Sequence, residues 1–519
     1  SKIRRELMTM DAVRRFMRKI SESKRIRAEK LLGIALGPLL LLLVVNLPLD
    51  LTQPQQTLLG LLAMTLTFWV LRVFPIALTP VITLACAVMF GVATDDAVFS
   101  AFSSPTLFLL IGSFILTQAM TDYGLGRRVS LAMLALPLVA NSTHRIIIVF
   151  GALAAMLSTV LDNGAVAAIL LPIATSLSNT FTDAIERQSG ADGDVRPLRF
   201  TVALMLMTAY GSTVGALLTP LGDASNLVGW EFMRRQSEMP LTIGLWMVVA
   251  APIVVVLFAV LSGVVLALNR PEVGNIRGAR KTVERHRASL GPMSQGEKNT
   301  AIVFVLAMLL WLLPSMAALV YGSGSPVHTA LVNKLPPSVV AILAAAALFL
   351  MPLGWKKGFT LKGDDARHTN WEPILLVGAT LALGSLIAST GLAREIGETL
   401  AVYAAQLRPS GVYAFSAAIA TAFSELSTNL VSVTVLVPII PSIAEAAGGD
   451  ALQATWTATF AAIYGFMLPI STSANAIIYG SGKVPFWQMV KTGLFVDLSG
   501  VVLVALGVHL MLRLLGIAG

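Results

Sequence analysis

Apolar stretches long enough to cross a membrane recur between residues 31 and 516, and short polar segments separate them. At about 20 residues for each helix, they leave room for about eleven spans and two shorter excursions. The stretches are continuous, whereas the strands of a membrane barrel would alternate in polarity over about ten residues. The pattern therefore predicts an all-α membrane protein.

Proline, glycine and charged residues bound the predicted spans. The fifth and tenth spans are predicted to break near 218–226 and near 468–475. Two re-entrant hairpins are predicted at about 143–180 and about 408–446. The other spans, in chain order, are 31–47, 56–73, 76–92, 105–121, 241–269, 299–321, 336–353, 373–404 and 489–516.

The two predicted hairpins share a pattern of polar residues. Asn163 precedes Pro172 by nine residues, and Asn429 precedes Pro438 by the same distance. A serine lies five residues before each asparagine: Ser158 and Ser424. This similarity indicates that one half of the chain repeats the other.

Two further pairs of landmarks occur in the same order. In both halves an asparagine follows a proline by six residues, as Pro220 with Asn226 and Pro469 with Asn475. Gly124-Leu125 and Gly391-Leu392 precede the hairpin asparagines by 39 and 38 residues. The landmarks together predict two structural repeats, 31–269 and 299–519.

The net charge of +9 comes mainly from segments beside the predicted spans. Basic residues concentrate in 1–30, 270–298 and 354–368, which fall on one side of the membrane if there are eleven spans and two hairpins. The positive-inside rule makes that side the cytoplasm, so the N-terminus is predicted inside and the C-terminus outside. The hairpins then enter from opposite sides, and the repeats are inverted.

This distribution also argues against a nucleic-acid partner. Residues 1–30 place apolar positions at helical spacing between basic ones, which predicts an amphipathic helix on the cytoplasmic membrane surface. Residues 270–298 are predicted to be a cytoplasmic basic linker. A basic arm that binds nucleic acid is the less favoured alternative for residues 1–30.

The sequence offers little to an enzyme or a metalloprotein. Cys86 is the single cysteine, and the five histidines are scattered without metal-ligand spacing. No nucleophile–base pair or aspartate pair has motif support. We expect no enzymatic activity and no covalent cofactor, and an intramembrane enzyme or a sensor is the disfavoured alternative.

Polar residues at the predicted hairpin tips point to transport. A stretch such as Asp162-Asn163-Gly164 cannot face lipid, because unpaired backbone groups there cost several kcal/mol each. Broken helices expose carbonyls that coordinate Na⁺ and free N–H groups that bind anions, and asparagine side chains can do both. The alternative interpretation is that these residues are kinks packed between helices.

These residues resemble those of the divalent anion/sodium symporter family, which includes dicarboxylate, citrate and sulfate carriers. The resemblance covers nearly the whole chain. It is carried by Phe68-Trp69 through Pro75-Ile76-Ala77-Leu78-Thr79, by Gly112-Ser113-Phe114 to Arg127-Arg128, and by Met467-Leu468-Pro469 through Asn475-Ala476 to Tyr479-Gly480-Ser481-Gly482-Lys483. It implies a homodimer in the bacterial inner membrane, with a fixed scaffold and an elevator-type transport domain.

The resemblance also implies where ions and substrate bind. By position, the first Na⁺ site comprises Ser158, Asp162, Asn163 and Gly222. The second comprises Ser424, Ser427, Asn429 and Ser471. The substrate is expected between the tips, against Asn163, Gly164, Thr428, Asn429, Leu430, Thr472 and Ser473.

The sequence departs from the family at these tips. The family's Ser-Asn-Thr is replaced by Asp162-Asn163-Gly164 and Thr428-Asn429-Leu430, and Asp223 stands where a small polar residue is usual. An intramembrane carboxylate is a functional candidate by default. Asp162 and Asp223 are candidate cation ligands or proton carriers, and helix N-caps in the alternative. Glu425 is expected to be structural.

The resulting hypothesis is Na⁺-coupled symport of a small anion such as a dicarboxylate or sulfate, with a monoanion left open by the altered tips. The alternative is a cation/proton antiporter or an H⁺-coupled anion carrier that uses Asp162. The expected partners are the lipid bilayer, a small anionic substrate and a second copy of the chain.

Overall fold

The computed structural model describes residues 28–135, 142–189, 198–237, 240–274, 279–354, 358–404 and 409–517. The amphipathic helix predicted at 1–30 lies almost entirely outside these residues. The chain divides into a first unit, residues 1–102 with 378–395, and a second unit, residues 103–377 with 396–519. Helices form nearly all the regular structure in the described part of both.

The first unit begins with four helices. They are α1 (Ala28–Asn46), α2 (Gln53–Val70), α3 (Leu78–Met89) and α4 (Asp95–Phe99). α2 starts at a capping box in which Thr52 and Gln55 exchange hydrogen bonds between side chain and backbone. The Trp69 indole Nε1 donates to the Ile76 carbonyl at 3.0 Å and thereby closes the turn between α2 and α3.

The second unit contains most of the helices. From the first half of the chain they are α5 (Pro105–Asp122), α6 (Leu125–Leu134), α7 (Thr143–Ser158), α8 (Asn163–Ser189), α9 (Arg199–Ala216), α10 (Ala224–Gln236), α11 (Ile243–Leu268) and α12 (Ala279–Ala288). Helices α13 (Gln295–Tyr321), α14 (Pro326–Lys334) and α15 (Pro337–Leu350) follow. Helices α16 (Trp371–Ser389) and α17 (Leu392–Ala404) each contribute to both units.

The described residues from 409 to the end of the chain are also helical and belong to the second unit. Its helices are α18 (Pro409–Leu426), α19 (Asn429–Leu436), α20 (Ile440–Ala446), α21 (Ala451–Ala462), α22 (Ser473–Gly480) and α23 (Phe486–Leu514). The strands of the described residues are β1 (Pro352–Gly354) and β2 (Gly358–Phe359), which pair antiparallel. The sequence pattern did not predict this short ribbon after α15.

Seven described helices are long and apolar enough to cross a membrane: α1, α5, α8 through Thr182, α11, α13, α16 and α23. The number rises to nine if the bent pairs α14 with α15 and α19 with α20 each count as one span. The prediction of an all-α membrane protein is confirmed. The eleven spans, the re-entrant hairpins and the inverted repeats stay predictions.

The ninth predicted span, 373–404, is two helices rather than one. Gly391 separates α16 from α17 with a φ of +77°, and Gly124 separates α5 from α6 with a φ of +68°. Glycine reaches this left-handed region without the steric penalty of a side chain, so the chain can end one helix and begin the next there. Each glycine belongs to a landmark pair that also marks the predicted repeat.

Helices α7 and α9 cross at small residues. Gly211 lies so close to Gly151 that a Cβ on it would be 2.6 Å from the Gly151 carbonyl oxygen. One turn further, a Cβ on Gly215 would overlap the Ala155 backbone. Small residues four apart on both helices allow this close backbone approach. The crossing places the end of α7 beside the end of α9, where both helices stop.

The linker between α11 and α13 packs on the ends of several helices. Glu272 accepts from the Arg199 and Phe200 amides at the start of α9, at 2.5 and 3.2 Å. Arg128 on α6 forms a bidentate ion pair with Glu297, at 2.7 and 3.2 Å. Its guanidinium also donates to the Gly291 carbonyl at 3.0 Å. The linker is therefore anchored to the second unit at both of its ends.

Candidate functional site

Four interruptions of helical structure meet in the second unit. Residues 159–162 join α7 to α8, and residues 427–428 join α18 to α19. Residues 217–223 separate α9 from α10, and residues 463–472 separate α21 from α22. Each interruption ends at a helix N-terminus, where free backbone N–H groups are available for side chains or ligands.

Asp223 joins the two predicted tips. Its Oδ2 accepts from Asn163 Nδ2 at 3.2 Å and from Asn429 Nδ2 at 3.5 Å. All three side chains are buried, with exposed fractions of 9, 2 and 5%. Two asparagines 266 positions apart in the chain therefore donate to one carboxylate oxygen. This contact defines the centre of the candidate site.

The acceptor oxygens of both asparagines are also occupied. Ser473 Oγ, from α22, donates to Asn163 Oδ1 at 2.8 Å. Ser424 Oγ, from α18, donates to Asn429 Oδ1 at 2.9 Å. These contacts orient each amide so that its nitrogen faces Asp223. The site therefore combines side chains from both predicted tips and both helix breaks.

Both predicted carboxylates cap helices. Asp162 Oδ1 accepts from the Gly164 and Ala165 amides at 2.9 and 3.3 Å, at the start of α8. Asp223 Oδ1 accepts from the amide and the hydroxyl of Ser225 at the start of α10. Such caps satisfy free N–H groups and place negative charge at the positive end of each helix. For Asp223, capping and contact with the tips occur together.

Threonines cap the matching helices of the second half. Thr428 Oγ1 accepts from the Val431 amide at 3.4 Å at the start of α19. Thr472 Oγ1 accepts from the Asn475 amide at 3.0 Å at the start of α22. The two halves thus use neutral and charged caps in equivalent positions.

Two glycines allow the close packing of the site. A Cβ on Gly164 would lie 2.5 Å from Ser473 Oγ, and a Cβ on Gly222 would lie 2.6 Å from the Ser158 carbonyl oxygen. Ser158 Oγ itself donates to the Leu161 carbonyl at 3.2 Å. Gly222 therefore lies against the backbone carbonyls of Ser158, beside the first tip, and of Ala216, at the end of α9, and carbonyl oxygens are suitable ligands for a cation.

The profile of the sodium:sulfate symporter transmembrane region matches residues 28–517. The chain belongs to this family. The family resemblance inferred from the sequence is confirmed, and so is the prediction of a multi-pass membrane transporter rather than an enzyme.

Curated relatives align with nearly the whole of this family member. The sodium-dependent dicarboxylate transporter SdcS of Staphylococcus aureus (strain USA300) is 27% identical over 502 residues, which are 95% of this chain and 93% of the relative. SdcS of Staphylococcus saprophyticus is 26% identical over 498 residues, 94% of this chain and 93% of the relative.

A solved structure shares the fold. Neisseria gonorrhoeae MtrF, described as illuminating a class of antimetabolite efflux pumps, aligns with a TM-score of 0.52. The alignment covers 90% of this chain and 97% of MtrF at 13% identity. At that identity the likeness concerns the fold alone.

The structure adds two residues to the candidate site of this family member. Asn226 Nδ2 donates to the Ala216 and Thr219 carbonyls at 2.8 and 3.0 Å. Asn475 Nδ2 donates to the Gly465 and Leu468 carbonyls at 3.0 and 3.2 Å. The Oδ1 atoms of these two asparagines are buried and have no hydrogen-bond partner among the described residues.

A buried oxygen without a donor is a position at which a cation can bind. Both asparagines follow a proline by six residues, and this shared spacing is the sequence signal for them. From the sequence alone it indicates landmarks of the repeat rather than ligands. Ser471, a predicted ligand, lies beside Asn475, because its Oγ accepts from Asn475 Nδ2 at 3.2 Å.

The remaining predicted residues lie at the edge of the site. Ser427 Oγ donates to the Phe423 carbonyl of its own helix at 2.7 Å, and the half-buried Leu430 follows Asn429 in the first turn of α19. Glu425 accepts from the Met467 and Leu468 amides at 2.8 and 2.9 Å. Glu425 therefore anchors the break between α21 and α22.

Asp497 on α23 is a residue that sequence reasoning missed. Its Oδ1 accepts from the Phe466 amide at 3.2 Å, next to the two amides that bind Glu425. Three consecutive N–H groups thus bind two buried carboxylates behind the second helix break. A single acidic residue in the last apolar span was the available signal.

Proposed function

We propose that this protein couples the inward movement of Na⁺ to uptake of a small anion, such as a dicarboxylate or sulfate. The observation that favours this function is the convergence of both tips on Asp223 of the first helix break, with Ser473 of the second helix break bound to Asn163. Binding of ion and substrate in one buried cluster allows each to stabilise the other, which is the basis of coupling. Membership of the family and the sodium-dependent dicarboxylate relatives support the proposal.

The first proposed Na⁺ site lies between the first tip and the break before α10. Its proposed ligands are Ser158, Asp162, Asn163 and Gly222, with Asn226 Oδ1 added from the structure. The second lies between the second tip and the break before α22. Its proposed ligands are Ser424, Ser427, Asn429 and Ser471, with Asn475 Oδ1 added.

The proposed substrate lies between these two ions. The contacting residues are Asn163, Gly164, Thr428, Asn429, Leu430, Thr472 and Ser473. The N-termini of α19 and α22 favour a negative charge there. Bound Na⁺ offsets the carboxylates of Asp162 and Asp223, so the anion enters after or together with the cation.

The direct test is uptake into proteoliposomes that contain the purified protein. An inward Na⁺ gradient should drive accumulation of labelled succinate or sulfate, whereas an equal K⁺ gradient should not. Ser424→Ala removes the donor to Asn429 and should abolish most uptake. Ser499→Ala is the matched control, because Ser499 donates to a carbonyl of its own helix away from the tips.

The same assay separates the alternative function. The presence of two carboxylates in one site, the half-buried Asp162 and the buried Asp223, is the observation that favours proton coupling. If a pH gradient drives anion uptake without Na⁺, the protein is an H⁺-coupled carrier. If Na⁺ moves against protons with no anion present, it is an antiporter. Either result contradicts the Na⁺-coupled symport proposed above.

The proposed mechanism is of the elevator type, in a homodimer of the bacterial inner membrane with a cytoplasmic N-terminus. The two predicted inverted repeats would supply alternating access by exchanging conformations. Crosslinking in native membranes tests the dimer: a purely monomeric species at all crosslinker concentrations contradicts it.

A further inference from the structure

We propose that Asp223 takes the position of one anionic group of the substrate, so that this transporter selects monoanions over dianions. The inference rests on the Na⁺-coupled anion uptake proposed above, and within the small anions it favours monocarboxylates and monosulfonates over the dicarboxylates and sulfate named there. Three features support it: the groups that Asp223 contacts, the charge of the helix caps, and the lack of an ion pair between these carboxylates and any basic side chain of the described residues.

Asp223 occupies hydrogen-bond donors that the substrate is expected to use. The substrate is expected to contact Asn163 and Asn429, one from each tip. In this structure both amide nitrogens donate to Asp223 Oδ2, at 3.2 and 3.5 Å. A side-chain carboxylate of the protein thus occupies the donors that a substrate carboxylate would use. Each amide keeps one N–H group for a further acceptor.

The four helix N-termini at the site differ in the charge of their caps. Those of α8 and α10 are capped by the carboxylates of Asp162 and Asp223. Those of α19 and α22 are capped by the hydroxyls of Thr428 and Thr472. Since a carboxylate offsets the partial positive charge of a helix end, attraction for an external anion remains at α19 and α22 alone.

Among the described residues, no basic side chain balances the negative charges of Asp162 and Asp223. The donors that bind Asp162 and Asp223 are amides and a hydroxyl, and within the described chain neither carboxylate forms an ion pair with Lys, Arg or His. A dianion would bring a second negative group towards these two carboxylates. A monoanion can place its charge at α19 and α22 and its neutral end towards Asp223.

The proposed substrate therefore has one ionised carboxylate or sulfonate and a neutral second end. A hydroxyl or amide at that end would donate to Asp162 or Asp223. Na⁺ bound near Asp162 completes the charge balance.

The test uses two pairs of anions that match in shape and differ in charge. Succinate is compared with succinamate, and sulfate with methanesulfonate, at a pH where both groups of the dianions are ionised. Binding to the purified protein is measured by calorimetry with and without Na⁺. We expect the wild type to bind the monoanion of a pair at least about tenfold more tightly, which corresponds to 1.4 kcal/mol.

Asp223→Asn and Asp223→Ser should shift the ratio of the two affinities towards the dianion by at least about tenfold. Asp223→Asn keeps the size of the side chain and Asp223→Ser also keeps a helix cap, so loss of folding in one variant leaves the other. Asp450→Asn is the matched control, since Asp450 caps α21 by accepting from the Gln453 amide at 2.7 Å. It should leave the ratio unchanged.

Two results overturn the inference, and they differ in what else they overturn. Tighter binding of succinate and sulfate by the wild type, with an unchanged ratio in Asp223→Asn, rejects charge selection but leaves Na⁺-coupled transport in place. Absence of Na⁺-dependent binding for all four anions rejects the proposed function, and the inference with it.

Discussion

At the scale of single residues, the departures from the family pattern at the two tips have a structural explanation. The first tip carries Gly164 where the family has threonine, and the structure places Ser473 directly against it. This packing lets Ser473 donate to Asn163. The small residue is therefore required by contact with α22.

Restoring threonine at the first tip should harm the site. In Gly164→Thr a Cβ would lie 2.5 Å from Ser473 Oγ, so Ser473 must shift, and we expect its hydrogen bond to Asn163 to be lost. We expect Na⁺-dependent anion binding to weaken by at least about tenfold, since a buried acceptor loses its partner. Calorimetry measures the change, and Gly263→Ala on α11, with no atom near the added Cβ, is the control. Unchanged affinity in Gly164→Thr would show that this contact is dispensable.

The unpartnered oxygens of Asn226 and Asn475 give a second prediction. Asn226→Ala and Asn475→Ala should each raise the Na⁺ concentration for half-maximal uptake by about tenfold, because each removes a proposed ligand and releases two carbonyls. At saturating Na⁺ the anion affinity should change much less. A Na⁺ titration of uptake tests this. An equal loss at low and at saturating Na⁺ argues for a purely structural role.

The site could be predicted from the sequence only in part. The repeat placed Ser158, Asn163, Ser424 and Asn429 in matching positions, but nothing in the pattern showed what fills the space between the tips. Asp223 lies 60 residues after Asn163 and 206 before Asn429. Such long-range contacts depend on how α9 and α21 break and pack, which local spacing does not encode.

At the scale of helices, the crossing of α7 and α9 determines where the first tip lies. Nearly every residue of α9 is buried, and its glycines face the backbone of α7. Sequence reasoning missed this contact, although the small residues four positions apart in both helices were an available signal. Gly124 and Gly391, in contrast, were recognised in the sequence as landmarks of the repeat, and in the structure each of them also marks a helix end.

Widening this crossing should disturb the site from a distance. Gly215→Ala adds a methyl group that overlaps the Ala155 backbone, so α7 must move away from α9. We expect a loss of about 1–3 kcal/mol in stability and weaker Na⁺ binding, because Ser158 and Gly222 separate. Thermal unfolding of the purified protein measures the first effect, with Gly263→Ala as control. A stable variant with normal Na⁺ affinity would mean that the crossing adapts.

At the scale of the whole molecule, the all-α membrane architecture followed from the continuous apolar stretches, and the family followed from the motifs. The exact spans were harder to predict. Span 373–404 divides at Gly391, and α15 is followed by a short β-ribbon. A hydropathy pattern records apolar length, whereas these details depend on backbone conformation at single residues.

The orientation of the chain gives the last prediction. Eleven spans with two re-entrant hairpins place the basic linker 270–298 in the cytoplasm and the segment 322–335 outside. Ser289 and Ser323 are exposed residues in these two segments, and Cys86 is the single native cysteine. In a Cys86→Ser background, a membrane-impermeant maleimide should label Ser323→Cys in intact cells and Ser289→Cys only after permeabilisation. Uptake by the Cys86→Ser protein is the control for folding.

Two outcomes would contradict this topology. The opposite labelling pattern would show that the chain has the opposite orientation. Labelling of both sites in intact cells would show that the number of spans between them differs from the prediction. Either result would contradict the prediction that the first hairpin enters from the cytoplasm. The side of the membrane to which each proposed site opens would then have to be reassigned.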